Sequence, residues 1–530
     1  MQTDFQTLPQ GPYLVPRFNP GQGGVDFLGL RQENLDLMAE CIPGINNVTR
    51  WIRPYSVMCW IYWKFYCLMR DKGVDSPSEA EMIQFREKVE TLFLWGHQLE
   101  NLRGIPGFLA KPTEFRGGKA SLSFKSWKRN AHNTSLQAAV QYGPSLSDRG
   151  GLGFLRRVES SFYQVTSRGE VLAKALDERL RKRKGYERLV DLRSMHASAA
   201  EAEDLFVAWR ADSAGADERE AFCETFLMES VVNGNDAIGR RSAIICLICE
   251  ILRESRKALS LEDIRKSMAY GRLPTGKRID VDGGLRSAGK RWLLLQVRQA
   301  QRLALESLMA WVEHRILIIG ERDARQLASA AVSDLRKEPA NAFQKETPAE
   351  ILAGWAGRLK TFDDYVDAAL KDQERFCVFK LCEQLGIAVA EEPEGICVPA
   401  FKLLMLARRF YEWLSGDEEI RPYLAHGRSE RISLAFWAKT WDKNSKFPLA
   451  DLVALVLNNM VLSQHFAVAT NRFDGGTQRL RITIEEEGLE VLVGKTWKPI
   501  ITPDRMGTVL SLMTDCELIK WDDDEQGYFA

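Results

Sequence analysis

Pro43-Gly44-Ile45-Asn46-Asn47-Val48-Thr49-Arg50-Trp51-Ile52-Arg53-Pro54-Tyr55, running on through Ser56-Val57-Met58-Cys59-Trp60-Ile61-Tyr62-Trp63-Lys64-Phe65-Tyr66, is a polar turn followed by a segment dense in aromatic rings. Three tryptophans and three tyrosines fall between Trp51 and Tyr66. Such density marks either a helix buried in protein or a membrane contact, and the choice decides the class of the fold. The membrane alternative fails on length and flanks. Arg53 and Pro54 stand at the start and Lys64 lies well inside, leaving fewer uninterrupted apolar residues than the roughly 20 that a spanning helix needs. A charge at mid-bilayer would cost on the order of a few kcal/mol. A buried helix remains. Pro54 suits its first turn, where a missing N–H does no harm. Arg50 and Arg53 then lie near a helix N-terminus, unfavourable for cations unless an anion faces them, so a nearby carboxylate partner is expected.

The rest of the composition agrees with a globular protein. A chain of 530 residues is too long for one ordinary core and should divide into two to four domains. Lys plus Arg and Asp plus Glu balance at 72 each, so no global field argues for nucleic acid. The ten cysteines are scattered. Met1-Gln2-Thr3-Asp4-Phe5 offers neither a basic n-region nor an apolar h-region. A cytoplasmic protein without disulfides is therefore expected.

Along the chain, residues 1 to about 25 read as an irregular arm rich in Pro, Gly and Gln. Leu28 to Cys41 looks helical, and Ser76-Pro77-Ser78 signals the start of a helix over Glu79–Leu102. Ser121 to Val140 carries helical material that Gly150-Gly151-Leu152-Gly153-Phe154-Leu155 ends. Phe162-Tyr163-Gln164-Val165 is a short strand, and Thr166-Ser167-Arg168-Gly169 turns into a helix from Glu170. From 190 to about 385 the pattern is almost wholly helical. Ser260 with Asp263 makes an approximate capping box, and the longest periodic segment is 291–319. The Pro339 neighbourhood reads as an inter-helical loop and Glu391-Glu392-Pro393-Glu394-Gly395 as a linker. Helices follow near 399–415, 430–441 and 448–471. After Asp474-Gly475-Gly476 the alternation of Arg479-Leu480-Arg481-Ile482-Thr483-Ile484 marks strand. A short helix over Pro503–Met513 and a hairpin from Glu517-Leu518-Ile519-Lys520-Trp521 to Gly527-Tyr528-Phe529 close the sequence.

Catalytic signatures do not emerge. Gly284-Leu285-Arg286-Ser287-Ala288-Gly289-Lys290-Arg291 has the spacing of a phosphate loop, but Arg291 replaces the hydroxyl that would reach magnesium. It reads as a Gly-containing loop before the long helix. Cys246-Leu247-Ile248-Cys249 lacks a second pair at zinc spacing and reads as core. His97, His132, His196, His314, His426 and His465 are far apart. No metal and no cofactor is expected, although carboxylates distant in sequence leave little local trace and a metal-dependent nuclease stays as an alternative.

Charge is uneven beneath its zero sum. Arg103 to Lys184 holds 17 basic and 6 acidic residues, a net of +11; Arg253 to Arg302 holds 13 and 5, a net of +8; Glu485 to Ala530 holds 4 and 11, a net of −7. A basic segment on a compact unit is the footprint of phosphate contact. Lys125, Lys128, Arg129, Arg156, Arg157 and Arg168 are the candidate nucleic-acid-binding residues. Phe124 and Trp127, interleaved with them, serve base stacking or core packing equally well. Docking of the basic middle on the acidic C-terminus is the structural alternative.

The order of helix, Leu-Gly turn, strand ending in Thr166 and helix from Glu170 resembles the C-terminal half of winged-helix domains, and the closing helix and hairpin suggest a second such unit. That resemblance implies DNA binding or protein binding, since the fold serves both. Gly29-Leu30-Arg31 with the Pro43–Tyr55 stretch and its aromatic helix is similar to the opening of uncharacterised bacterial proteins encoded beside helicases, ATPases, methyltransferases or nucleases in anti-phage defence islands. Pro54, intervening before Tyr55, departs from their pattern. Leu462-Ser463-Gln464-His465-Phe466-Ala467-Val468-Ala469 followed by Arg479-Leu480-Arg481-Ile482 resembles their closing part. No catalytic residue carries over from this likeness.

The expectation is thus a mainly α, multi-domain helical protein with small β elements and one or two winged-helix-like units. Its divisions are an N-terminal domain over 1–190, a helical middle over 191–390 and a helical plus hairpin domain over 391–530. The function expected is that of a non-enzymatic DNA-binding and partner-binding subunit of a bacterial anti-phage defence complex. Its partners would be an ATPase, helicase or nuclease subunit and DNA, with no membrane. The alternatives are a protein-only scaffold or regulator of a nuclease or ATPase effector, and the metal-dependent nuclease.

Overall fold

The computed structural model describes residues 26–158, 162–228, 231–232, 236–337, 342–425, 432–472 and 479–530. The N-terminal arm, His426, the Pro339 loop and the Asp474-Gly475-Gly476 turn lie outside the described residues. Among the described residues the chain is mainly helical with four small antiparallel sheets. It groups into two compact units, one of residues 36–293 with 503–530 and one of residues 26–35 with 294–502.

In the unit formed by 36–293 and 503–530, the aromatic segment is the helix Arg53–Asp71, with Pro54 in its first turn. Tyr55, Trp60, Tyr62 and Phe65 are wholly buried. Their polar tips find partners, as buried donors must. Tyr55 Oη pairs with Ser145 Oγ at 2.6 Å, and Trp60 Nε1 donates to Asp177 at 2.9 Å. Asp177 is a hub: Lys64, Arg181 and the Tyr186 hydroxyl converge on the same carboxylate. The carboxylate expected for Arg53 is Glu218, 3.0 Å away. The turn before the helix needs glycine. Gly44 has φ +80°, and a Cβ there would meet Gly151 backbone at 3.0 Å and the buried Arg241 guanidinium at 3.1 Å. Arg241 in turn donates to the carbonyls of Pro43, Thr225 and Phe226.

The helix Glu79–Leu99 starts in a full capping box of Ser78 and Glu81. The helical reading of 121–140 is not upheld. Those residues are a strand end and a run of turns. Ser, Asn and Thr side chains compete for the backbone there: Asn130 N–H donates to Thr134 Oγ1 at 2.9 Å and His132 N–H to Asn130 Oδ1 at 2.8 Å. Lys128 takes φ +51°, which no helix continues through. The strand and cap that follow do form. Leu155–Arg157 pairs antiparallel with Tyr163–Val165, and Thr166 Oγ1 caps the helix Ser167–Leu180 by accepting from Gly169 N–H.

The closing residues form the expected helix, Met506–Asp515, and hairpin, Lys520–Asp522 with Gly527–Phe529. Their packing partners come from far earlier in the chain. The helices Ala237–Ser255 and Leu261–Tyr270 pack on each other and on the terminal elements. Leu259, between those two helices, makes both backbone hydrogen bonds of an antiparallel bridge to Tyr528, at 2.9 and 2.8 Å. Arg265 forks onto Asp504 at 2.6 and 3.1 Å. The spatial order is therefore helix, edge residue, helix, helix, hairpin. Ser260 caps its helix through Asp263 N–H, as its spacing expects.

The long helix is Gly283–His314, continued by a π-helical turn over Arg315–Ile319. Residues 284–291 are its first turns and not a loop, so the Gly-x-x-x-x-Gly-Lys spacing cannot wrap a phosphate. Asp282 makes this start by accepting from Leu285 N–H at 3.0 Å.

In the unit of 26–35 and 294–502, Glu391–Gly395 is no open linker. One 3-10 turn, Pro393–Ile396, joins the helices Val378–Glu391 and Cys397–Leu414, which pack together. Leu449–Asn471, interrupted by a π-helical stretch over Val456–Leu462, is the sole stretch among the described residues long and apolar enough to cross a membrane, and 56% of its most apolar window is buried inside the protein. Strand Ile482–Glu485 pairs with Gly488–Val491. Arg481, just before it, forks onto the buried Glu313 at 2.5 and 3.0 Å, and Trp497 N–H donates to that carboxylate at 2.6 Å.

Candidate nucleic-acid interface

The six candidate cations fall into three groups. Arg156 and Arg157 lie on the strand Leu155–Arg157, and both are exposed. Strand pairing fixes them opposite Gln164 and Tyr163. Arg168 is exposed in the first turn of the helix that the hairpin feeds. Thr166 links the two, its N–H donating to Phe154 O at 3.0 Å. The hairpin and helix start thus hold three guanidinium groups on one short, capped element. Arg149, exposed in the preceding turn, joins them, since Asp148 N–H donates to Leu155 O at 2.8 Å. Spacing alone gave no reason to single out Arg149; the Asp148-Arg149-Gly150 turn signal was its one trace. Asp148 also supplies competition, its carboxylate lying 3.1 Å from Arg156. The Arg156 side chain is largely exposed and Asp148 partly so, which keeps the pair weak.

Lys125 and Lys128 occupy a separate turn. Both are exposed, and neither makes an ion pair among the described residues. Between them Trp127 is wholly buried with Nε1 donating to Ser121 O at 2.7 Å, and Phe124 is buried too. Those rings are core, so base stacking by Phe124 and Trp127 is ruled out in this state.

Arg129 does not belong to any surface. Its side chain is 1% exposed. It lies 4.3 Å over the Phe124 ring, 3.5 Å from Glu90, and donates to Thr134 O at 2.7 Å. Burial lowers its affinity for the proton, and Glu90 offsets part of that. Arg129 ties the 121–140 turns to the helix Glu79–Leu99, which is a structural task. Sequence could not separate it from Lys128, its neighbour, because the two differ only in which way an irregular turn points them.

The charge excess of 103–184 is also smaller in space than along the chain. Lys174, Arg181 and Arg183 pair with Glu170, Asp177 and Asp204. Among the described residues no three His, Cys, Asp or Glu side chains are grouped as a metal ion would require. His97 and His465 are internal, each accepting a backbone N–H at Nε2, from Ala211 and Arg481 respectively. Cys246 and Cys249 are half-buried on the helix Ala237–Ser255.

No protein-family model, no curated protein and no solved structure matches this chain.

Proposed function

We propose that the chain is a non-enzymatic subunit of a bacterial anti-phage defence complex, acting in the cytoplasm, that binds DNA and partner proteins. The observation that carries the DNA half is the hairpin of Leu155–Arg157 and Tyr163–Val165, with Arg149, Arg156, Arg157 and Arg168 exposed along it. Arginines projected from a paired strand and the helix start beside it suit phosphate contact, and their bonds position a duplex without reading its sequence. The setting rests on the likeness of Gly29–Arg31 with Pro43–Tyr55, and of Leu462–Ala469 with Arg479–Ile482, to proteins of defence islands.

The winged-helix reading of the C-terminus is supported by the order helix, Leu259, helix, helix, hairpin, with Leu259 bridged to Tyr528. The last helix of that order, Met506–Asp515, carries no Lys or Arg and buries Met506, Val509, Leu510, Leu512 and Met513. The hairpin tip is Asp522-Asp523-Asp524-Glu525. A helix covered on its apolar face and an acidic tip favour protein contact for this unit. The protein-only scaffold therefore stays as the second reading.

Binding of labelled duplex and single-stranded DNA to the full chain at two salt concentrations tests the proposal. The expected result is an affinity that falls steeply with salt and collapses in the doubly reversed Arg156→Glu/Arg157→Glu chain. Equal binding by that variant, or none by the natural chain, would sink the DNA half. Recovery of a stoichiometric ATPase, helicase or nuclease from the native host tests the partner half.

A further inference from the structure

A cleft of about 390 Å³ opens where the terminal helix and hairpin meet the residues before the aromatic helix. Trp51, Trp521 and Tyr528 supply its rings, and Asp212, Asp515 and Glu517 its carboxylates. Trp521 and Tyr528 sit edge to face, 4.7 Å between centroids at 69°. Trp521 is 40% exposed, a cost to the free protein unless something covers it. Glu517 holds φ +60°, a left-handed conformation usually left to glycine, just past the helix end.

The charges in the cleft do not cancel evenly. Asp212 is forked by Arg210 at 2.7 and 2.8 Å. Glu517 is paired with Arg219 at 3.0 Å, and Arg219 also donates to Ala214 O. Asp515 differs. Its carboxylate accepts the Ile52 N–H at 2.8 Å and makes no ion pair among the described residues. The groups that bear on it are Arg53 and Arg219, which favour its charge, and Glu218, which opposes it; burial dominates and pushes its carboxyl up to about 6. Tyr142 and Cys516 are the other titratable neighbours.

Aromatic rings beside a carboxylate that makes no ion pair among the described residues select one ligand chemistry. An anion would meet three carboxylates, with the one lining guanidinium, Arg219, already engaged by Glu517, and a neutral apolar group would bury Asp515 further with only the Ile52 N–H to answer its charge. A hard metal ion would find no three carboxylates grouped closely enough to ligate it among the described residues. A soft organic cation satisfies both walls, the rings through their π faces and the carboxylate through charge. We propose that this cleft binds an alkylammonium or guanidinium group between Trp51, Trp521 and Tyr528 and over the Asp515 carboxylate. The group is either a free small cation or a Lys or Arg side chain of a partner. The site is separate from the arginine hairpin and stands whether or not that hairpin binds DNA.

Tryptophan fluorescence and calorimetry on the full chain test this with choline, the neutral carbon isostere of choline, and a Lys/Arg peptide beside its acetyl-lysine/citrulline counterpart. Saturable binding of choline or of the basic peptide is expected, with the neutral form of each weaker by roughly tenfold. A free cation is the ligand where choline binds as tightly as the peptide, and a partner side chain where the peptide binds far more tightly. Affinity should rise as pH increases through about 6, because the cation favours the ionised carboxyl. Asp515→Asn, which keeps an acceptor for Ile52, and Trp521→Leu at the exposed rim should each lose most of the binding. Neutral ligands binding as well as cations, no cation binding at all, or an unchanged affinity in Trp521→Leu would overturn the proposal.

Discussion

The Arg53 guanidinium stands 3.0 Å from the Glu218 carboxylate with neither side chain exposed. Arg53 also donates to the carbonyls of Ala208 and Ser213, and Glu218 accepts Gly215 N–H at 2.9 Å. The pair therefore joins the first turn of the aromatic helix to the loop and helix of 208–226. Burial lowers the Arg53 pKa to about 10, with Glu218 opposing that shift. Two charges removed from water contribute through the cost of separating them more than through net attraction.

Removing one partner should expose that asymmetry. Glu218→Gln leaves a buried guanidinium without its counter-charge and should cost about 3 kcal/mol in urea unfolding. The double replacement Arg53→Met/Glu218→Leu should be less destabilised than the sum of the singles. Strict additivity in the double-mutant cycle would contradict the coupling.

His97 and His465 should resist protonation. The His97 ring donates from Nδ1 to Phe93 O (2.6 Å) while accepting Ala211 N–H at Nε2 (2.9 Å). The His465 ring does the same with Phe27 O (3.2 Å) and Arg481 N–H (3.0 Å). Burial lowers each pKa to about 4. An unfolded histidine takes its proton near 6.5, so the unfolded chain binds more protons between that value and about 4. Stability is lost as pH falls through this window, on the order of a few kcal/mol per ring at its lower end. Ring-proton resonances that stay unshifted from pH 7.5 to 5 are the expected observation for both. A titration near 6.5 in either would refute it.

Three neighbouring cations should behave differently. Arg129→Ala should lower stability by about 2 kcal/mol, since Glu90 stays buried with Arg86, 3.6 Å away, as its remaining cation and the bond to Thr134 O is lost. Lys125→Ala should stay within about 0.5 kcal/mol. Lys128→Gly should cost nothing, since φ +51° suits glycine. In DNA titrations the two lysine changes should each reduce the salt slope by about one. A reduced slope in a folded Arg129 variant would reopen its assignment as internal.

Much of the helical frame was legible because its signals are local. Ser78 with Glu81 and Ser260 with Asp263 fix helix starts over three residues, and the aromatic run could be nothing but buried once Arg53, Pro54 and Lys64 excluded a bilayer. The 121–140 stretch misled because Asn130, Thr134 and Lys128 settle the backbone by side-chain bonds and a left-handed turn that the sequence pattern does not announce. Residues 284–291 misled in the opposite sense. Two glycines suggest a loop, yet Asp282 starts a helix directly ahead of them. For the candidate interface, sequence could place Arg156 and Arg157 together but not expose or bury a cation in an irregular turn. The cleft at Asp515 was beyond reach, because Trp51 and Trp521 come to line one cleft only through tertiary packing.

The bridge between Leu259 and Tyr528 carries a consequence for how this protein comes into being. Helices Ala237–Ser255 and Leu261–Tyr270 leave the ribosome long before the strand and helix that cover them. At ordinary translation speed the interval is on the order of tens of seconds. For that time the parts of this helix pair that pack on Met506–Asp515 and Gly527–Phe529 lack that cover. The chain therefore carries an assembly clock in its topology, and a chaperone that shields this helix pair during synthesis should raise the yield of folded protein more than one acting after release.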